Sequence, residues 1–523
     1  MKKKCLPILV LTSLFLTGCF DIPGISLNKS TQSSTSNTNT SDSRSGTATL
    51  QLFTSNDMHG QVLPESGRAG IAATMTFFKN RKAANPNTLL IDQGDTWQGS
   101  IYSNYNHGEL ITDVMNYIHY DVRTIGNHDF DWGMDYIKKN TAKSYDGYAT
   151  PVLAGNVYDY NFATKEVGTT QQSQLGQKSV TYTMPNGLKV GILGGIGSGQ
   201  ITSITSSYTE TITFIDHIKF IKDEATHLRN DENCDIVIAS IHAGKEDVMD
   251  NGLSSYVDLV LCGHTHKQEI GVEQNVYYVQ NYANTQSFAD IKLTYDFDNH
   301  KVSKTTVKHL SAYDILNNAK EIDPTIESII ESYNDQCDTA ANEVLANNVT
   351  DEFSSSGYAE RVMTKAIMSE ALSAGYSDVT VSCVNKARHS LADESWTYAD
   401  LYQAFPFDNT VYIAEITGNE FLRQVANNSY NYICKNPSFT DTTISRNKTY
   451  KIAVIDYIYF HTNEERDYDY FYQTGGTSKV TLEKNYREIL RDWLKENGYN
   501  NGKELSPSDF SSSNWEFNNS YAY

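Results

Sequence analysis

The sequence predicts an α/β fold whose reactive groups sit at the carboxyl ends of buried strands. Three observations predict it. Short, β-rich apolar runs recur between residues 47 and 313, with helical stretches between them. Five of these runs end in clusters of Asp, Asn or His. The carboxyl ends of strands are also where open α/β sheets bind their ligands.

Each run delivers its own polar group. "ATLQLFTSND" leads to Asp57, with His59 two residues on, and "TLLIDQGD" leads to Asp95. "VRTIGNHD" leads to Asn127, His128, Asp129 and Asp131. "DIVIASIHAG" leads to His242, and "VDLVLCGHTH" leads to His264 and His266. Residues 324–346 read as a helix, with Ile326, Ile329 and Ile330 at spacings of three and four. A second region begins near Asn347 and is rich in aromatic and Asn residues. Its helix candidates are "YAERVMTKAIMSEALSAGY" and "NYREILRDWLKENGYN", each closed by a Gly. No internal repeat is present.

The ends of the chain and its charge narrow the function. "MKKK" followed by "LPILVLTSLFL" is a basic stretch and an apolar run too short to span a bilayer. "LTGC" then resembles the bacterial lipobox, so residues 1–18 are expected to be a lipoprotein signal peptide and Cys19 the lipidated residue. Residues 19–46, nearly all Ser, Thr, Asn, Gln and Asp from residue 30, read as a flexible tether. The protein is therefore expected in the bacterial cell envelope, facing outside the cytoplasm and held to the membrane by lipid. The formal charge of −21 argues against nucleic-acid partners, and an anionic substrate would need local compensation from metals or arginine. Cys234, Cys262, Cys337, Cys383 and Cys434 are odd in number and widely spaced, which fits neither a disulfide framework nor a zinc site.

Asp57, His59, Asp95, Asn127, His242, His264 and His266 mix carboxylate, amide and imidazole groups, a set suited to Zn²⁺, Mn²⁺ or Co²⁺. Seven ligands are too many for one tetrahedral ion and fit two divalent ions bridged by one carboxylate and a water. His107, His119 and His389 fall outside the motifs and read as ordinary histidines.

D-x-H, G-D, G-N-H-D, a lone H and G-H-x-H in this order resemble the calcineurin-like metallophosphoesterases. "SNDMHGQVLP", "GDTWQGS" and "GNHDFDWG" are similar to the bacterial periplasmic and animal ecto-5′-nucleotidase family. The resemblance implies a layered α/β catalytic sandwich over residues 47–313, a helical linker over 314–346 and a smaller α/β nucleotide-binding domain over 347–523. It implies Asp57, His59, Asp95 and His266 at one metal, and Asp95, Asn127, His242 and His264 at the other. His128 would be the catalytic histidine, oriented by Asp131. Hydrolysis would run by attack of a metal-bound hydroxide on phosphorus.

In the second region, "TYADLYQAFPFDNTVYIAEITG" resembles the family's C-terminal domain and implies base stacking by Phe407. "NKARHSL" stands where the family has a longer, glycine-rich motif, and offers Arg388 and Asn385 to the substrate. Tyr457 is the candidate second clamp aromatic. Asp467 or Asp469 is the candidate replacement for the family's base- or ribose-binding Asp, and "TGGT" reads as a simple turn.

The leading expectation is a 5′-nucleotidase that scavenges nucleosides and phosphate from extracellular nucleotides. A 2′,3′-cyclic-nucleotide phosphodiesterase with 3′-nucleotidase activity, a nucleotide-sugar or dinucleotide pyrophosphatase, and a non-catalytic binding lipoprotein or adhesin stay open. No protein partner is evident in the sequence.

Overall fold

The computed structural model describes residues 44–426, 432–439, 444–463, 465–466 and 479–510. Cys19, the leader, most of the tether, Asp467, Asp469 and "TGGT" lie outside the described residues.

Two six-stranded sheets form the catalytic half. In the first, Thr47–Ser55, Thr88–Asp92, Val122–Thr124 and Val152–Leu153 run side by side and parallel. In the second, Lys189–Ile196, Ile236–His242, Leu259–Cys262 and Val276–Gln280 do the same. Antiparallel strands complete both sheets. Thr88–Asp92 and Ile236–His242 are buried at every position, as strands covered on both faces must be.

Leu52, Ile91, Val122, Ile192, Ile238 and Leu261 meet between the sheets as one apolar layer. A hydrogen bond of 2.6 Å between the Thr124 and Ser240 hydroxyls joins the two sheets near their carboxyl ends. Helices cover the outer faces. Gly70–Ala84 and Glu109–Tyr117 supply Met75, Phe78, Leu110 and Val114 on one side. His217–Asn230 covers the other, its first turn capped by the Asp216 carboxylate.

The expected helix over 324–346 is shorter, spanning Pro324–Ala341. Asp323 caps its start and Pro324 occupies the first helical position, where a missing N–H costs nothing. It stops because Val344–Val349 pairs as a strand with Glu394–Thr397. The segment is no free linker. Ile315, Ile326, Ile329 and Ile330 pack into the apolar layer beneath the catalytic helices.

In the C-terminal half, a five-stranded mixed sheet has the order Tyr432–Lys435, Val379–Val384, Thr449–Ile455, Thr410–Thr417 and Lys479–Asn485. Tyr358–Ser373 and Tyr486–Glu496 contribute to its core. Both are the helices expected from sequence, and Gly375 and Gly498 follow them with positive φ. Among the described residues, no helix is long and apolar enough to cross a membrane.

Candidate dinuclear metal and substrate site

Five strand ends bring the seven expected ligand residues together. Asp57, His59 and His266 offer ligand atoms within 4.8 Å of one another, and so do Asp95, His242 and His264. Asn127 joins the second group, its Oδ1 lying 3.0 Å from His264 Nδ1 and 3.1 Å from His242 Nε2. Asp95 Oδ2 stands between the groups, 3.2 Å from His242 Nε2 and 3.9 Å from His59 Nε2.

The backbone is bent to make this meeting. Asp57, His59, Asp95, His264 and His266 all have positive φ, between 46° and 74°. Such geometry costs a non-glycine residue of order 1–3 kcal/mol and concentrates at functional sites. Gly126 is required beside it, because a Cβ there would lie 2.2 Å from Asp95 Oδ1. Below the loop, buried Arg123 pairs with Asp129 at 3.2 Å and lies over the Trp97 ring at 3.6 Å. Asp129 in turn accepts the Gly126 N–H.

The donor set fits divalent cations. Asp95 Oδ2 is buried without a hydrogen-bond donor. His242 Nδ1 donates to the Gln93 carbonyl at 2.7 Å and His59 Nδ1 to the Gln98 carbonyl at 3.0 Å, so both turn their Nε2 lone pairs inward. His59 Nε2 then faces His266 Nε2 at 3.0 Å. Burial works against charge on His242, yet Asp95 and Asp57 push it up to about 10. Burial, reinforced by His266, holds His59 down at about 3, and burial with His242 beside it holds His264 at about 4. The carboxylates favour positive charge in the site, while burial keeps the His59 and His264 imidazoles neutral.

His128 stands beside the ligand groups. Its backbone N–H donates to Asp95 Oδ1 at 2.8 Å, and its Nδ1 lies 2.9 Å from Asp131 Oδ2. Burial opposes its protonation, but Asp131 and Asp95 raise its pKa nonetheless. From the C-terminal half, Arg388 Nη2 reaches His128 Nε2 at 3.2 Å. Phe407 stacks on the His128 ring, with centroids 5.4 Å apart and planes at 25°, and lies under the Arg388 guanidinium. Phe407 thus packs against both His128 and Arg388. Asn385, Arg388, Phe407 and Tyr457 line one cavity of about 350 Å³ with Asp95, Asn127, His128 and His264.

Sequence reading missed several neighbours. Tyr208, on a short 3₁₀ turn of the catalytic half, lines the same cavity. Arg487 is fully buried and donates to the Phe405 and Phe407 carbonyls at 2.9 and 2.7 Å, and to Asp408, holding the "FPFD" loop in place. His389, read as an ordinary histidine, lines a smaller cavity with His59, His128 and His266. Its nearness to Arg388 in sequence was the available signal. His107 and His119 stack on Tyr136 and Tyr148, away from the site.

Residues 54–268 match the calcineurin-like phosphoesterase family. The chain is 22% identical over 408 residues to a trifunctional nucleotide phosphoesterase of Bacillus subtilis, covering 71% of this chain and 27% of that protein. It is 30% identical over 213 residues to an apyrase of Tabanus yao, covering 40% of this chain and 36% of that protein. The chain thus spans about a third or less of the length of either relative. A 5′-nucleotidase precursor from Thermus thermophilus superposes with a TM-score of 0.70 at 17% identity, covering 88% of this chain and 97% of that one. At that identity the likeness is one of fold.

Proposed function

We propose that the chain is a 5′-nucleotidase built on its calcineurin-like phosphoesterase domain, and that it removes phosphate from extracellular nucleotides. The observation that carries the reading is the pair of ligand groups meeting at Asp95, with His128 and Arg388 beside them.

Asp57, His59, Asp95 and His266 would hold one divalent ion, and Asp95, Asn127, His242 and His264 the other. Zn²⁺, Mn²⁺ and Co²⁺ suit this donor set. When bound, the two ions would supply Lewis-acid neutralisation of phosphoryl charge and lower the pKa of a water. His128, with Nδ1 tied to Asp131, directs Nε2 at the substrate and there stabilises or protonates the leaving oxygen. Arg388, within reach of His128, balances phosphate charge from the other half of the chain. Phe407 and Tyr457 border the cavity wall that would take the base.

We also assign residues 1–18 to a signal peptide and Cys19 to lipid attachment, which would hold the enzyme at the cell envelope. The test of function is phosphate release by purified protein across nucleoside monophosphates, cyclic nucleotides and a base-free ester, with and without added Mn²⁺, Co²⁺ or Zn²⁺. Metal-dependent release from 5′-monophosphates supports the reading. Turnover of cyclic nucleotides alone would replace it, and no turnover under any condition would remove it.

A further inference from the structure

Asp92 ends the Thr88–Asp92 strand, is fully buried, and is neither an expected ligand nor part of the lining of either cavity at the site. A carboxylate costs stability in such a place unless donors reach its oxygens. Here the donors come from the loop that carries Asp95. Asp92 Oδ1 accepts the Gly94 N–H at 3.0 Å and the Thr96 hydroxyl at 2.6 Å. One oxygen thus holds the residues on either side of Asp95, whose φ of 52° is strained for a non-glycine residue. Asp92 Oδ2 accepts the Ser55 hydroxyl at 2.6 Å, and Ser55 Oγ accepts the Tyr120 hydroxyl at 2.7 Å. Ser55 ends the strand that leads to Asp57, so the same carboxylate joins two ligand-bearing strand ends.

The held segment shapes much of the site. The Gly94, Asp95 and Thr96 carbonyls accept the N–H groups of Asp57, His59 and Gly60 at 2.9, 3.0 and 3.0 Å. The Gln93 carbonyl takes His242 Nδ1 at 2.7 Å. Residues 93–96 therefore supply Asp95 and orient Asp57, His59 and His242, which belong to both ligand groups.

We propose that Asp92 is the positioning residue of the dinuclear site. Its carboxylate ties the 94–96 loop down from beneath, so that the ligands of both ions meet at Asp95. Thr96 and Ser55 carry that hold to the two strand ends. An apolar side chain at 92 would fill the core equally well but could accept none of these bonds. The inference rests on the proposed dinuclear centre and goes beyond it in naming the group that assembles it.

The test measures binding of Mn²⁺, then of Zn²⁺, to metal-stripped protein by calorimetry. It compares wild type, Asp92→Leu, Asp92→Asn and Thr96→Val, with thermal melts of the stripped proteins alongside. Losing a group that orients metal ligands costs about 10–100-fold in metal affinity. Asp92→Leu and Thr96→Val should each show a loss of that size. Asp92→Asn should lose less than Asp92→Leu, because its amide oxygen still accepts from Gly94 and Thr96 while its N–H meets Ser55 Oγ. Thr96→Val keeps shape and charge, and it decides the matter if Asp92→Leu does not fold. Wild-type affinity in Asp92→Leu or Thr96→Val, with at most a lowered melting temperature, would make Asp92 a packing residue. That result would overturn the inference and leave the dinuclear reading standing, as would equal losses in folded Asp92→Asn and Asp92→Leu. Binding of neither ion by wild type would sink the dinuclear reading and the inference with it.

Discussion

His128 and Asp131 form a unit that the ligand residues do not need for their own meeting. Their contact is 2.9 Å, and His128 offers only its backbone N–H to Asp95. His128→Ala should therefore keep both metals and slow turnover by about 10²–10⁴-fold, the usual cost of losing one acid–base group. Asp131→Asn should cost less, because the ring remains and only its tether weakens. Elemental analysis beside kcat checks both variants, and a metal lost from His128→Ala would show that the histidine is a ligand. Phe407 makes a separate prediction. Stacking on a base is worth about 1–3 kcal/mol. Phe407→Ala should thus weaken adenosine monophosphate binding by roughly 5- to 150-fold and leave a base-free phosphate ester nearly unchanged. Arg388→Ala should impair both substrates, and an equal loss on both for Phe407→Ala would make Phe407 a packing residue.

At the scale of elements, the meeting of the candidate ligand residues was legible because each group stands at or just past the end of an apolar strand. A strand of fixed direction leaves its last polar residues at one edge of the sheet, so Asp57, Asp95, Asn127, His242 and His264 could be assigned together. The helix expected to reach 346 stops at Ala341, because the pairing of Val344–Val349 with a distant strand is not a local signal. Arg487 was illegible for a similar reason. In "NYREILRDWL" it reads as part of a solvated helix face, and only tertiary packing sets its head under the Phe407 loop and over the Tyr402 ring. Arg487→Ala should leave the Phe405 and Phe407 carbonyls unsatisfied, at about 1–3 kcal/mol for each. Denaturant unfolding should register that loss, and KM for a nucleotide should rise more than KM for a base-free ester. A stable variant with unchanged KM would show that the loop holds itself.

For the whole molecule, the two halves meet through particular side chains. Asn104 donates to the Pro406 carbonyl at 2.8 Å. Buried Arg466 donates to the Thr209 and Ile212 carbonyls at 2.9 and 3.1 Å. Composition could not reveal these contacts, and the departures from family spacing around Arg388 and Tyr457 left the second half the less readable part. The envelope assignment makes its own prediction. Cys19→Ser should release or mislocalise the protein, since it removes the thiol proposed to carry the lipid. Wild-type protein found wholly in the soluble extracellular fraction, without lipid, would reject it. The central claim is that two ions held through Asp95 perform the chemistry. The most direct measurement is metal content per chain together with phosphate release from adenosine monophosphate, before and after chelation and after restoring Mn²⁺, Co²⁺ or Zn²⁺. The account predicts two ions per chain, activity lost and regained with them, and loss of both ions in Asp95→Asn. Full turnover by metal-stripped protein would contradict it.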